Sequence, residues 1–226
     1  MNDPRPHLAR LGRVALLSLL PVLAPAALLH AQVTDGGFEA GSAPDGGFAT
    51  LGAGSSFGGW TVGSGSIDLL DRYWMAAAGN QSVDMSGNSA GAIFQDFVTA
   101  PGSTWDLSFS LAGNPDGGPA VKSLSLFWGP SAGSLDLVGT YTFDATGRTR
   151  SSMGWVSRSV PGLVASTAST RLWFASATST PYGPALDEVA LSEAVVTPEP
   201  GSLLLALAGL AGLGLVALRR RGDVAG

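Results

Sequence analysis

The chain has 226 residues, a formal net charge of −5, 32 glycines and no cysteine. Without cysteine there are no disulfides, thiol nucleophiles or thiolate zinc sites. Both histidines, His7 and His30, fall in the first thirty residues, so the body beyond them has no Ser-His-Asp triad and no imidazole metal ligand.

In chain order, the first element is an address. Arg5, Arg10 and Arg13 precede the apolar stretch Val14–Leu29, which leads to Leu29-His30-Ala31 and then Gln32. A basic start, a short apolar run and a small residue before the cut describe a secretory signal peptide, residues 1–31, removed by signal peptidase after Ala31. The alternative, a retained anchor, is opposed by Pro21 and Pro25, which interrupt the run.

The body follows as one domain, residues 32–196, long enough to bury a sizeable core. It carries six basic against fourteen acidic residues, a net charge of −8, with Lys122 its single lysine. Such a body is a poor binder of nucleic acid or anionic membrane and a reasonable host for a hard cation.

Runs rich in β-branched and aromatic residues, separated by turn chemistry, predict strands at Gly59–Val62, Ser66–Leu70, Gln81–Met85, Ala92–Val98 and Thr104–Ala112. Further strands are predicted at Val121–Trp128, Asp136–Phe143, Gly154–Val160, Thr170–Ser176 and Leu186–Leu191. Trp105, Leu107, Phe109 and Leu111 alternate cleanly onto one face. Turn residues such as Ser86-Gly87-Asn88, Pro101-Gly102 and Asn114-Pro115-Asp116-Gly117-Gly118 lie between the runs. Gly52–Gly58 misses the dinucleotide fingerprint and reads as a flexible loop, and the Gly-rich stretches Asp45–Gly58 and Ala112–Ala120 read as mobile. Trp60, Trp105, Trp128, Trp155 and Trp173 are assigned to the core. The fold class is all-β: a two-sheet jelly-roll sandwich of nine to ten strands.

The last thirty residues form a second address. Thr197-Pro198-Glu199-Pro200 is extended, because Pro198 and Pro200 cannot donate backbone hydrogen bonds. The uncharged run Leu203–Leu218 follows, sixteen residues, about 24 Å as a helix at ~1.5 Å per residue. Arg219-Arg220-Arg221 then hold that end in the cytoplasm. Pro-Glu-Pro, an apolar helix and an Arg cluster closely resemble the PEP-CTERM sorting signal. That resemblance implies recognition and cleavage by exosortase, in a Gram-negative bacterium that makes exopolysaccharide and biofilm. A plain transmembrane anchor is the alternative reading of residues 197–226.

The body resembles the choice-of-anchor C family. The resemblance rests on Asp35-Gly36-Gly37-Phe38-Glu39, Gly59-Trp60-Thr61-Val62, Ser66-Ile67-Asp68 with Tyr73-Trp74, Gln81–Gly87 and Ala112–Lys122. Met153-Gly154-Trp155 and Tyr182–Val189 complete it. It covers roughly Val33 to Leu191 and implies a galactose-binding-like body, similar to a plant cell-wall family of unknown biochemical function.

By likeness to carbohydrate-binding jelly rolls, Glu39 and Asp187 are candidate ligands of a structural calcium that clips the first and last strands together. The alternative is a capping carboxylate at Glu39 and a solvated one at Asp187. Asp68, Arg72, Tyr73 and Trp74, with Asn114 and Asp116 as possible neighbours, have the composition of a sugar site: an aromatic plate for C–H faces and polar groups for hydroxyls. The same Tyr-Trp pair also reads as core packing.

No catalytic residue is assigned. The reading is an exported surface or matrix protein that binds polysaccharide without cleaving it. A glycan-active enzyme using two carboxylates and a ligand-free coat protein are the alternatives.

Overall fold

The computed structural model describes residues 33–194. The predicted signal peptide and the sorting segment, with Pro198, Glu199, Pro200 and Arg219–Arg221, lie outside the described residues.

Among the described residues there are twelve β-strands and no helix. They are β1 (Asp45–Gly52), β2 (Ser56–Phe57), β3 (Trp60–Ser64), β4 (Ser66–Arg72), β5 (Gln81–Asp84), β6 (Ala92–Val98), β7 (Thr104–Gly113), β8 (Val121–Pro130), β9 (Asp136–Asp144), β10 (Val156–Val164), β11 (Ser169–Ser176) and β12 (Pro184–Glu193). One six-stranded sheet runs β1-β4-β5-β12-β7-β10 and the other β2-β3-β6-β11-β8-β9. Every pairing is antiparallel. The two sheets form a sandwich of jelly-roll type, as the alternation of the strands predicts.

Alternation decides what each sheet buries. Across β3-β6-β11-β8 the paired residues Val62, Ile93, Phe174 and Leu126 form one inward row, each 1% exposed or less. From the facing sheet, Trp105, Leu107, Phe109 and Leu111 of β7 point at it, and Phe109 meets Phe174 edge-on at 5.3 Å. Trp60 packs on Phe38 at 5.6 Å and gives its indole N–H to the Asp35 carbonyl, closing one end of the core.

The opening segment 33–41 is a turn and not a strand. Val189 N of β12 donates to Gly36 O at 2.9 Å. A Cβ at Gly36 would collide with the Val189 carbonyl oxygen, so only glycine allows this approach.

All ten predicted strands are present with ends shifted by a few residues, and two more form where the sequence predicts loop. Asp45–Gly52 is an edge strand paired with β4 from Asp45↔Asp71 to Gly52↔Ser66, with a bulge at Gly47, and Ser56–Phe57 pairs with β3. Glycines at 46, 47 and 52 mask β1, whose order comes from its partner rather than from intrinsic propensity. Trp173 is a second correction. Thr170, Leu172 and Phe174 of β11 face the core, so Trp173 falls on the outer face and stacks on Phe94 at 5.4 Å. Trp155 is only partly buried and donates to Met75 O.

Candidate functional site

Ile67 and Leu69 of β4 point into the core, which turns Asp68 and Leu70 to the outer face of the first sheet. Their cross-strand neighbours share that face: Thr50 opposite Asp68, Phe48 opposite Leu70, and Asp84 of β5 opposite Asp68. Three connections rise around them, the segment 73–80 after β4, the turn 114–118 after β7 and the turn 177–183 before β12. They enclose a cleft of about 290 Å³ whose walls include Phe48, Tyr73 and Tyr182 and whose polar groups include Asp68, Asn88 and Asn114. Phe48 is 45% and Tyr182 39% exposed, so both rings present surface to solvent.

Beneath the cleft is a polar lock. Asp84, 1% exposed, accepts hydrogen bonds from Ser86 N (2.9 Å), Gly183 N (3.0 Å) and Asn114 Nδ2 (2.7 Å). It thereby joins the three chain segments that follow β5, precede β12 and follow β7. Burial pushes its carboxyl up to about 7 against the pull of those three bonds, and the charge of Asp68 adds to the rise. Lys122, fully buried, gives its ammonium to Gly117 O (2.6 Å) and Tyr182 O (2.7 Å). Burial lowers its pKa, opposed by the Asp84 charge. Asp68 accepts one hydrogen bond, from Thr50 Oγ1 at 2.5 Å, and burial raises its carboxyl above the ordinary value.

The predicted sugar residues divide. Asp68, Tyr73 and Asn114 line the cleft. Asp116 stands behind Tyr73, accepting its hydroxyl at 3.0 Å and the Arg150 guanidinium at 2.9 Å. Arg150 also donates to the Tyr73 hydroxyl and lies over its ring at 4.0 Å. Arg72 is spent outside, on Asp45 at 2.9 Å and on Asn80 Oδ1 at 3.1 Å. Trp74 is 3% exposed, with its indole N–H on Ser82 Oγ at 2.7 Å, so it supports the segment 73–80 and offers no plate to a ligand. Phe48, Asp84, Arg150 and Tyr182 were not singled out. Phe48 and Thr50 alternate inside the glycine-rich stretch, a period-two signal that could have found them.

Glu39 and Asp187 do converge, but on backbone N–H groups. Glu39 Oε1 accepts from Asn80 N and Gln81 N, both at 2.8 Å. Asp187 Oδ2 accepts from Ala77 N (2.8 Å) and Ala78 N (3.2 Å), and its Oδ1 from Glu188 N (2.7 Å). Four of these donors pin the segment 77–81 across the sheet and the fifth is Glu188 N; a calcium ion would have to displace them. The donor set as arranged does not fit that ion. Thermal unfolding is therefore expected to keep the same midpoint with added calcium or with chelator; a midpoint that rises with calcium would return a cation to this end.

A larger cavity, about 680 Å³, is lined by Ala78, Ser108, Ser110, Ser157 and Glu188. It has hydroxyls and a carboxylate but no exposed aromatic face. The smaller cleft combines both, as recognition of a molecule with a C–H face and a hydroxyl edge requires.

A family profile described as "Protein of unknown function (DUF642)" matches residues 31–192. A second, the PEP-CTERM protein-sorting motif, matches residues 196–221, a signal of exosortase-dependent export to the surface or extracellular space of bacteria. Halomucin of Haloquadratum walsbyi is 29% identical over 147 residues, and the match covers 58% of this chain and 2% of halomucin. The chain thus spans about 2% of the length of that curated relative. Among solved structures, TmCBM61 in complex with β-1,4-galactotriose is similar at a TM-score of 0.46 and 12% identity, covering 73% of this chain and 99% of that one. The CBM22-1 xylan-binding domain of Paenibacillus barcinonensis Xyn10C is similar at 0.46 and 15% identity, covering 69% and 100%.

Proposed function

Because the chain belongs to the DUF642 family, whose function is unknown, we propose from the site itself that it is an exported protein that binds carbohydrate without cleaving it. The observation that carries this reading is the cleft in which the exposed rings of Phe48 and Tyr182 face the polar groups of Asp68, Asn88 and Asn114. Aromatic faces take the C–H side of a sugar, and carboxylate and amide groups take its hydroxyls. At about 290 Å³ the cleft is at the small end of ligand sites, ~300–1,000 Å³, and suits a single sugar unit of a longer chain.

Export fits this role. Signal peptidase removes residues 1–31, the apolar run Leu203–Leu218 holds the chain in the inner membrane of a Gram-negative cell, and exosortase cuts at Pro198-Glu199-Pro200. The body, read as the PEP-CTERM form of the choice-of-anchor C group, then serves at the surface or in a biofilm matrix.

One observation favours an enzyme: Asp68 and Asp84 are cross-strand partners in a cleft, both with raised pKa values. Glycoside hydrolysis uses two such carboxyls. Asp84, however, has its two oxygens engaged by three donors and is 1% exposed, so it reaches neither a glycosidic oxygen nor a water. Binding is the better reading.

Phe48→Ala and Tyr182→Ala are each expected to weaken retention on the cognate polysaccharide about tenfold or more, the loss typical of a buried aromatic anchor. Affinity electrophoresis against a polysaccharide panel reads it. Unchanged retention in both variants would remove the cleft from the account.

A further inference from the structure

We propose that the unit seated in the cleft carries a cationic amine, as a deacetylated amino sugar does, with its ammonium on Asp68. The inference rests on the carbohydrate-binding reading and names the sugar class.

The argument is one of unspent charge. Asp68 sits half-buried at the floor of the cleft, hydrogen-bonded to a neutral hydroxyl and free of any ion pair among the described residues. A carboxylate removed from water without a cation is costly, and a ligand ammonium would supply the missing partner. Asp84 lies directly across the ladder from Asp68, held by neutral donors alone and pushed up to about 7 by burial, so it supplies no counter-ion and Asp68 carries the charge of the floor. The raised pKa of Asp68 agrees with a carboxyl lacking its counter-ion.

Among the described residues no cation of the protein is paired with Asp68. Arg150 has its guanidinium on Asp116 and on one face of Tyr73. Lys122 spends its ammonium on the carbonyls of Gly117 and Tyr182 and is fully buried, its charge felt by Asp84. Arg72 is paired with Asp45 outside the cleft. The exposed walls, Phe48 and Tyr182, are aromatic, and aromatic faces attract a cation through the ring quadrupole. Carboxylate floor and aromatic walls together favour ammonium over a neutral group. The same floor repels a uronic acid, for which no free cation is present in the cleft.

The test uses the processed, exported chain with three probes of equal length, measured by calorimetry. They are oligomers of glucosamine with free amines, oligomers of N-acetylglucosamine, and oligogalacturonate. The free-amine oligomer should bind at least tenfold more tightly than the acetylated one, with the preference shrinking as salt rises, and oligogalacturonate should not bind. Asp68→Asn, nearly isosteric, should abolish that preference, so that the variant binds the free-amine and acetylated probes alike. Equal affinity for both hexosamine probes would overturn the proposal, and so would a preference surviving in Asp68→Asn, which would credit the acidic surface at large. Retention on a neutral polysaccharide with no amine preference overturns this inference and leaves the binding reading standing. Absence of retention on every sugar overturns both.

Discussion

Asp84→Ala is expected to lower the thermal midpoint by about 10 °C at pH 5 and to abolish ligand retention together with it. The carboxyl is the common acceptor for Ser86 N, Gly183 N and Asn114 Nδ2. Truncation leaves three buried donors unpaired, each at about 1–3 kcal/mol, and a small void besides. A total of roughly 3–5 kcal/mol in a domain of this size corresponds to about 10 °C, at ~2–4 °C per kcal/mol. The three segments it joins carry the cleft walls, so the site should fail with the fold. Asp84→Asn keeps an acceptor for the two backbone N–H groups and should lose less. Differential scanning calorimetry of the three proteins decides; equal midpoints would show that Asp84 bears no load.

Stability should also fall as pH rises from about 4 to about 8. Asp84 and Asp187 are each pushed up to about 7 by burial, from an ordinary 3.8. Both are at most 1% exposed. In this window the folded chain holds protons that the unfolded chain has released, so each added pH unit favours unfolding. The stabilisation is complete below the unfolded value near 4 and is lost as pH passes 7. At ~1.4 kcal/mol per tenfold change in proton affinity, each group contributes at most about 4 kcal/mol. Urea midpoints at pH 5 and pH 8 test this: the higher belongs at pH 5, and the gap should narrow in Asp187→Asn. A flat or rising profile would contradict the burial argument, since the three N–H donors on Asp187 and the three on Asp84 favour the ionised form.

The sequence made the sandwich legible because its strands alternate: Trp105 to Leu111 names both a strand and its buried face. It hid β1, since Gly46, Gly47 and Gly52 suppress the local signal and the pairing with β4 is made only in three dimensions. It misplaced Trp173, because one residue's difference in phase moves a side chain to the opposite face and Phe94 supplies a partner there. The candidate site was legible in part. Asp68, Tyr73, Asn114 and Asp116 have sugar-site chemistry and do gather at one end of the sheet. Trp74, next to Tyr73, turns inward onto Ser82, which composition cannot foretell. Phe48, Asp84 and Tyr182 reach the cleft from β1, from β5 and from the connection before β12, and Arg150 stands behind Tyr73; no local spacing links them. Glu39 and Asp187 each accept from N–H groups of the segment 77–81, and Asp187 also from Glu188, partners that leave no side-chain signature.

The central claim is that the Phe48–Tyr182 cleft holds a sugar and does not cut it. The most direct measurement exposes the processed chain and its Tyr182→Ala variant to a panel of neutral, amino and acidic polysaccharides, reading retention and newly formed reducing ends together. The account predicts retention of the parent chain on at least one polysaccharide, loss of that retention in the variant, and no new reducing ends. Reducing ends released by the parent, or retention indifferent to Tyr182, would contradict it.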